Sequence, residues 1–351
     1  MGEVGQQRHR LERVGALREF VHRASSLPQG ALASATMETR AAFDEQVRPH
    51  RAALLAHAYR MLGNLADAED VVQESLVRAW QHRGAFEGRA SLRSWLWTIC
   101  VRAALTRADR TARRELPGLR DDEPSHGVDV GAPSPEVPWL EPLPDAWLGA
   151  ALDARESPEA QLTRRQSVAL AFLAAVQLLP PLQRAVLLLT SVLGWSAAET
   201  AEALETTVPA VNSALQRARQ TLDTKAPGWS AGPASPPAAS VSARYVEAWA
   251  RGDAEALAGL LRDDVTLAMP PFSAWFRGKA DVVAFLGHFM AAGGAWRARV
   301  CQGFNGVLAV ELTHAAGHLP PALHVITVDE RGAIVGTVVF VGRVGDGPTP
   351  G

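Results

Sequence analysis

Between residues 115 and 160 the chain carries eight prolines: Pro117, Pro124, Pro133, Pro135, Pro138, Pro142, Pro144 and Pro158. A second stretch, 226–240, is built of Pro, Ala, Gly and Ser apart from Trp229. Proline fixes φ and removes a backbone donor, so neither stretch can pass through the middle of a helix or a sheet. One uninterrupted core is therefore not expected of these 351 residues. The reading is three bodies, 41–114, 161–225 and 241–345, after a flexible leader over 1–40. They are joined by a linker over 115–160 and by a tether over 226–240 that spans up to about 50 Å when extended.

Charge follows the same divisions. The net charge is only −2, yet residues 83–114 hold eight Arg against Glu87 and Asp109, and 115–160 hold eleven acidic residues against two Arg. The basic stretch has the composition of a phosphate-binding surface. The two cysteines, Cys100 and Cys301, are too few and too far apart for a disulfide framework or a thiolate cage, which fits a reducing cytoplasm. No apolar run reaches the roughly 20 residues of a membrane span, so no membrane partner is expected. The first 30 residues lack the apolar stretch of a secretory signal, and Met37 stands just ahead of the first periodic helix as an alternative start to Met1.

Within the first body, Phe43, Val47, Leu54, Ala58 and Met61 recur at helical spacing. Asn64 caps a second helix whose inner line is Leu65, Ala68, Val72, Leu76 and Trp80, and whose outer face carries Asp67, Asp70, Gln73 and Glu74. A loop over 86–91 leads to Ser91 as cap of a third helix, with Leu92, Leu96, Ile99 and Ala103 inward. Phe86, Trp95 and Trp97 lie among Arg89, Arg93, Arg102, Arg107 and Arg110, a mixture suited to unpaired DNA, because cations follow phosphates and aromatic faces stack on bases. One of the two Trp belongs to the core; Trp95 neighbours the apolar line at Leu92 and Leu96.

In the second body, Leu170, Leu173, Val176 and Leu179 end at Pro180-Pro181, and a further helix ends at Gly194. Ser196 with Glu199 forms a capping box, and Thr207 ahead of Pro209 opens another helix. This is a helix-turn-helix layout: Val211, Leu215, Ala218 and Leu222 point one way. Ser213, Gln216, Arg217 and Gln220, flanked by Asn212 and Arg219, point the other, where Gln and Arg suit base edges in a major groove. In the third body two helices around Val241, Tyr245, Trp249 and Leu257 precede a strand at 264–269, a helix at 279–291 and β-runs near 295–304, 307–312, 322–329 and 333–341. Asn305-Gly306 and Glu330-Arg331-Gly332 mark turns of a curled antiparallel sheet. The fold class is mainly α with an α+β C-terminal cone.

Gly63-Asn64-Leu65-Ala66-Asp67-Ala68-Glu69-Asp70-Val71-Val72-Gln73-Glu74, with Arg78-Ala79-Trp80, Leu179-Pro180-Pro181-Leu182-Gln183-Arg184 and Val211–Arg219, resembles the sigma-70 family of transcription initiation factors, in its extracytoplasmic-function class with regions 2 and 4 only. The resemblance implies that Asp67, Asp70, Gln73 and Glu74 meet core RNA polymerase. It implies that Phe86, Arg89, Ser91, Arg93, Trp95, Arg102, Arg107 and Arg110 meet the −10 element, with a base captured by the 86–91 loop. Opening is then driven by binding energy without ATP, and no cofactor or metal is called for. It further implies that Asn212, Ser213, Gln216, Arg217, Arg219 and Gln220 read the −35 element. Arg102-Ala103 stands where the family commonly places Asn after a basic residue, so one polar contact to DNA is absent.

The body after 240 looks like the SnoaL-like domain that some members carry, with Met269-Pro270-Pro271 and Trp275. Asp264, Asp281, His288, His314, His318, His324 and Tyr245 are its polar candidates, but no spacing among them specifies a metal or a dyad. The cone is read as a regulator in cis, docking on Trp139, Leu140, Trp147 and Leu148, and an anti-sigma protein or a small ligand of the cone are further partners the resemblance allows. A polymerase-independent DNA-binding regulator and an enzyme with a helical appendage are the alternatives; stoichiometric addition to core polymerase in run-off transcription separates all three.

Overall fold

The computed structural model describes residues 39–86, 91–118, 123–145, 170–225, 239–291, 296–301, 303–305, 307–317 and 319–343. Helix α1 (Arg40–Leu62) starts at Thr39, whose hydroxyl accepts from the Ala42 amide, and ends at Gly63 in the left-handed region (φ 69°). Asn64 caps α2 (Leu65–Gln81) by accepting from the Asp67 amide at 2.8 Å, and Ser91 caps α3 (Leu92–Arg110) through the Ser94 amide. Each cap satisfies a donor that the first helical turn leaves free. The three helices pack on Phe43, Val47, Leu54, Ala58, Met61, Val71, Val72, Leu96 and Trp97. On α2 the buried line is Ala68, Val71, Val72, Ser75 and Ala79, and Leu65, Leu76 and Trp80 sit at its margin. Of the two Trp on α3 it is Trp97, 2% exposed, that enters the core, while Trp95 is half-buried.

The second helical body comprises α4 (Leu170–Gln177), α5 (Pro181–Leu187) prolonged by a π turn over Leu188–Val192, α6 (Ala197–Ala203) and α7 (Val208–Lys225). The capping box at Ser196 and Glu199 is formed in both directions. The Thr207 hydroxyl accepts from the Ala210 amide at the start of α7.

The third body has α8 (Ala239–Arg251) and α9 (Ala254–Ala258), then β1 (Leu261–Ala268), a short β2 (Trp275–Arg277), α10 (Lys279–Ala291), β3 (Trp296–Val300), β4 (Leu308–His314), β5 (Ala322–Val328) and β6 (Ile334–Val341). The sheet order is β2-β1-β6-β5-β4-β3. The expected all-antiparallel sheet is corrected in one place: β1 and β6 run parallel, because the last strand returns to the middle of the sheet rather than to its edge. Alternate residues divide between two apolar clusters. Val310, Leu312, Ile326 and Val339 face the cone interior with Tyr245, Trp249 and Phe285. Ala309, Leu323, Val325 and Phe340 belong instead to the cluster that contains the first helical body. A sheet covered on both faces is the reason these strands read as unbroken apolar runs.

What covers the outer face is the described part of the linker. Leu116, Leu140 and Leu143 are buried in that shared cluster, so the three bodies pack as one mass, against the expectation from the prolines. Leu140 lies on Gly63, where a Cβ would come within 2.6 Å of its Cδ1. Gly63 is thus required both by its φ and by this approach.

Candidate nucleic-acid interface

The proline-rich linker finds its hydrogen bonds in short bridges to both neighbours. Toward the first helical body, the Glu141 amide donates to the Gly63 carbonyl at 3.0 Å, and the Tyr59 hydroxyl donates to the Glu141 carbonyl. Toward the cone, the Leu143 amide donates to Asn305 Oδ1 at 2.9 Å, the Asn305 amide to the Leu143 carbonyl at 2.8 Å and the Asp145 amide to the Gly303 carbonyl at 2.8 Å. Asn305 Nδ2 also donates to the Tyr59 hydroxyl at 3.1 Å, so one fully buried asparagine joins helix, linker and cone. Arg343 pairs with Glu141 at 2.8 Å nearby. Earlier in the linker the Ser125 amide donates to the Trp275 carbonyl and the Ser134 amide to the Pro271 carbonyl.

The cone does meet the linker, but not through the patch expected of it. Leu140 packs on the first helical body, and the Trp139 indole donates to Ser134 in its own loop. The cone takes Leu143, Pro144 and Asp145. Trp147 and Leu148 lie outside the described residues. Asn305 and Tyr59 were missed; the sequence signal was the Asn305-Gly306 turn itself, which marked a left-handed asparagine (φ 54°) without saying what its amide would bind.

On α2, Asp70, Gln73 and Glu74 are exposed and Asp67 is half-buried. Arg114 holds Asp67 at 2.5 Å, Arg107 reaches Asp70 at 2.9 Å and Asp67 at 3.6 Å, and Glu74 pairs with Arg78 at 2.5 Å. Arg107, expected on DNA, therefore lies across the acidic face expected on polymerase. Arg102 is also engaged elsewhere: its guanidinium donates to the carbonyls of Ala203 and Glu202 at the end of α6 and pairs with Glu205 at 2.7 Å. Phe86 is 6% exposed and packs on Trp95 at 5.1 Å between ring centres, so it is a core residue and not a free stacking surface. Ser91 serves its helix cap, Arg93 and Arg110 are exposed, and Arg89 lies outside the described residues. On α7 all of Asn212, Ser213, Gln216, Arg217, Arg219 and Gln220 are exposed, while Val211, Ala214, Ala218 and Leu222 are buried beneath.

The polar candidates of the cone do not converge. Asp264 pairs with Arg262, Asp281 meets His126 of the linker at 3.2 Å, and His288 is exposed. His318 lies outside the described residues. Tyr245 and His324 share a hydrogen bond of 2.8 Å in the cone interior. Burial lowers the His324 pKa to about 3 and raises that of Tyr245, so both are neutral. Among the described residues no three His, Cys, Asp or Glu side chains gather as a metal site, and no helix is long and apolar enough to cross a membrane.

A helix-turn-helix with an outward Gln/Arg face, beside a basic three-helix body and an α+β cone, defines a promoter-binding transcription protein with an appended domain. Residues 46–114 match Sigma-70 region 2, 169–222 match Sigma-70, region 4, and 242–347 match the SnoaL-like domain. The ECF RNA polymerase sigma factor SigG of Mycobacterium tuberculosis is 41% identical over 298 residues, covering 82% of this chain and 78% of SigG. SigJ of the same organism is 30% identical over 248 residues, 69% of this chain and 70% of SigJ. The crystal structure of SigJ shares the fold with a TM-score of 0.53 at 23% identity, covering 85% of this chain and 94% of that one. The chain belongs to the ECF RNA polymerase sigma factors, with a SnoaL-like C-terminal domain. It is a transcription initiation factor that partners core RNA polymerase and promoter DNA.

Proposed function

We propose that the described conformation is a resting state of this sigma factor, from which three surfaces are released for use. The acidic end of α2, with Asp67, Asp70, Gln73 and Glu74, takes core polymerase; the basic face of α3 takes the −10 element; and α7 reads the −35 element. The observation that carries this reading is Arg102, which in this state bonds the end of α6 and not DNA. Two DNA-reading domains held against each other cannot reach two separate promoter elements, so the seam must part when polymerase is engaged. The cone acts in cis by gripping the linker at Leu143 and Asp145, not by chemistry of its own, and the activity belongs to the cytoplasm, where polymerase and promoter meet.

The test is reconstitution with core polymerase. Reversing Asp70 and Glu74 to Lys should remove co-purification with the core enzyme and run-off transcript while leaving the far-ultraviolet spectrum unchanged, since both side chains are exposed. Retention of the doubly reversed protein by the core enzyme would refute the α2 assignment.

A further inference from the structure

The two helical bodies close around a buried cation that has no carboxylate. Arg184 is 4% exposed. Its guanidinium donates to the Met61 carbonyl, to Gln177 Oε1 at 2.6 Å, and to the carbonyls of Gln177 and Leu179 at 3.1 Å each. Met61 lies in the last turn of α1 and Gln177 ends α4, so the negative ends of two helices converge on it and offset part of its charge. No acceptor among these four carries a formal charge, and Nε has no partner among the described residues. The nearest charge felt by the guanidinium is another cation: burial first, then Arg113, lower its pKa to about 10.

This guanidinium also lines a cleft of about 360 Å3, bounded by the end of α1, residues 108–113 and the turn 177–181. Arg113 stands in the same cleft and is only loosely paired, 3.8 Å from Glu115. Asp109 is the one acidic group of the lining, on an exposed position. Two cations converge on a space the size of a small solute, one of them desolvated, where an anion interacts more strongly than in water.

We propose that this cleft binds a phosphate group, and that a small phosphate-bearing anion seated between Arg184 and Arg113 locks the two helical bodies together. Guanidinium donors in a fixed fork match the several oxygens of a phosphate. Because the cleft is made from both bodies, the anion binds only the closed arrangement and stabilises it in proportion to its occupancy.

The experiment uses the full chain at constant ionic strength, with chloride as reference. Inorganic phosphate, pyrophosphate and ADP are titrated separately by calorimetry and by thermal unfolding, which distinguishes free phosphate from a nucleotide as the source. Saturable binding with a rise in Tm is expected for at least one of the three. Arg113→Gln should weaken that binding about tenfold, the loss of one charge-assisted contact, and Asp109→Asn should tighten it. Binding absent for all three probes, or unaltered in Arg113→Gln, would overturn the proposal and leave the helix ends as the whole balance of Arg184.

Discussion

Asn305 combines a left-handed backbone, complete burial and three hydrogen bonds to two other parts of the chain. Asn305→Ala should lower stability by about 2–3 kcal/mol, because it strands the Leu143 amide and one side of the Tyr59 hydroxyl. Asn305→Gly, free of backbone strain at this φ, should cost nearly as much in urea unfolding; were glycine neutral, the residue would matter only for its turn. The turn was legible from Asn-Gly, but its partner lies 162 positions away, and turn propensity carries no information on that distance. Two other single residues set a pH dependence. His57 and His324 are fully buried, and burial holds each pKa at about 3 against an ordinary 6.5. Between those values the unfolded chain binds a proton that the folded one refuses, so stability is complete above pH 6.5 and falls as pH drops, by about 1.4 kcal/mol per unit for each group. From pH 7.5 to 5.5 urea unfolding should lose roughly 2–3 kcal/mol in all. Both rings should still be neutral by NMR at pH 5.5; a flat profile would mean that they are charged or paired in the native state.

At the level of elements, the helices were legible because each carries its own start signal within four residues: Asn64, Ser91, Ser196 and Thr207 all cap as their side chains suggest. The three-residue β2 and the parallel β1–β6 pair were not, since neither has a local signature and both depend on which strand arrives beside which. The faces of α3 and α7 lead to opposite expectations. Arg217 is exposed on α7, so Arg217→Ala should relax base preference at one position of the upstream element by about 1–3 kcal/mol and leave the resting shape unchanged. A promoter library that shows no altered preference would reject α7 as the reading helix. Arg102 bonds α6, so Arg102→Ala should separate the two helical bodies, seen as a lower energy-transfer efficiency between dyes placed on α2 and α7. An unchanged efficiency would mean that the remaining seam, including Arg184 on Met61, suffices.

For the molecule as a whole, composition divided the chain correctly into helical and α+β parts but could not show that the dividing segments are themselves structural. Prolines exclude a linker from helix and sheet, yet Leu116, Leu140 and Leu143 still supply an apolar edge between two bodies. The clue in the sequence was the lack of alternation in strands such as Leu308–His314, which only a sheet with two covered faces explains. Residues 239–343 expressed alone would lay Leu323, Val325 and Phe340 open to water. That fragment should bind a hydrophobic dye and self-associate in size-exclusion chromatography, whereas the full chain should do neither; a monomeric, dye-silent fragment would show that the outer face tolerates water.

The place of β6 has a bearing on biosynthesis. It is the last strand to leave the ribosome, yet it lies between β1 and β5 in the centre of the sheet. Until it is made, β1 and β2 on one side and β5, β4 and β3 on the other have no strand joining them. A transcript truncated anywhere before codon 334 thus yields two helical bodies and a cone that cannot close, and the presence of an intact third body certifies that translation ran almost to its end.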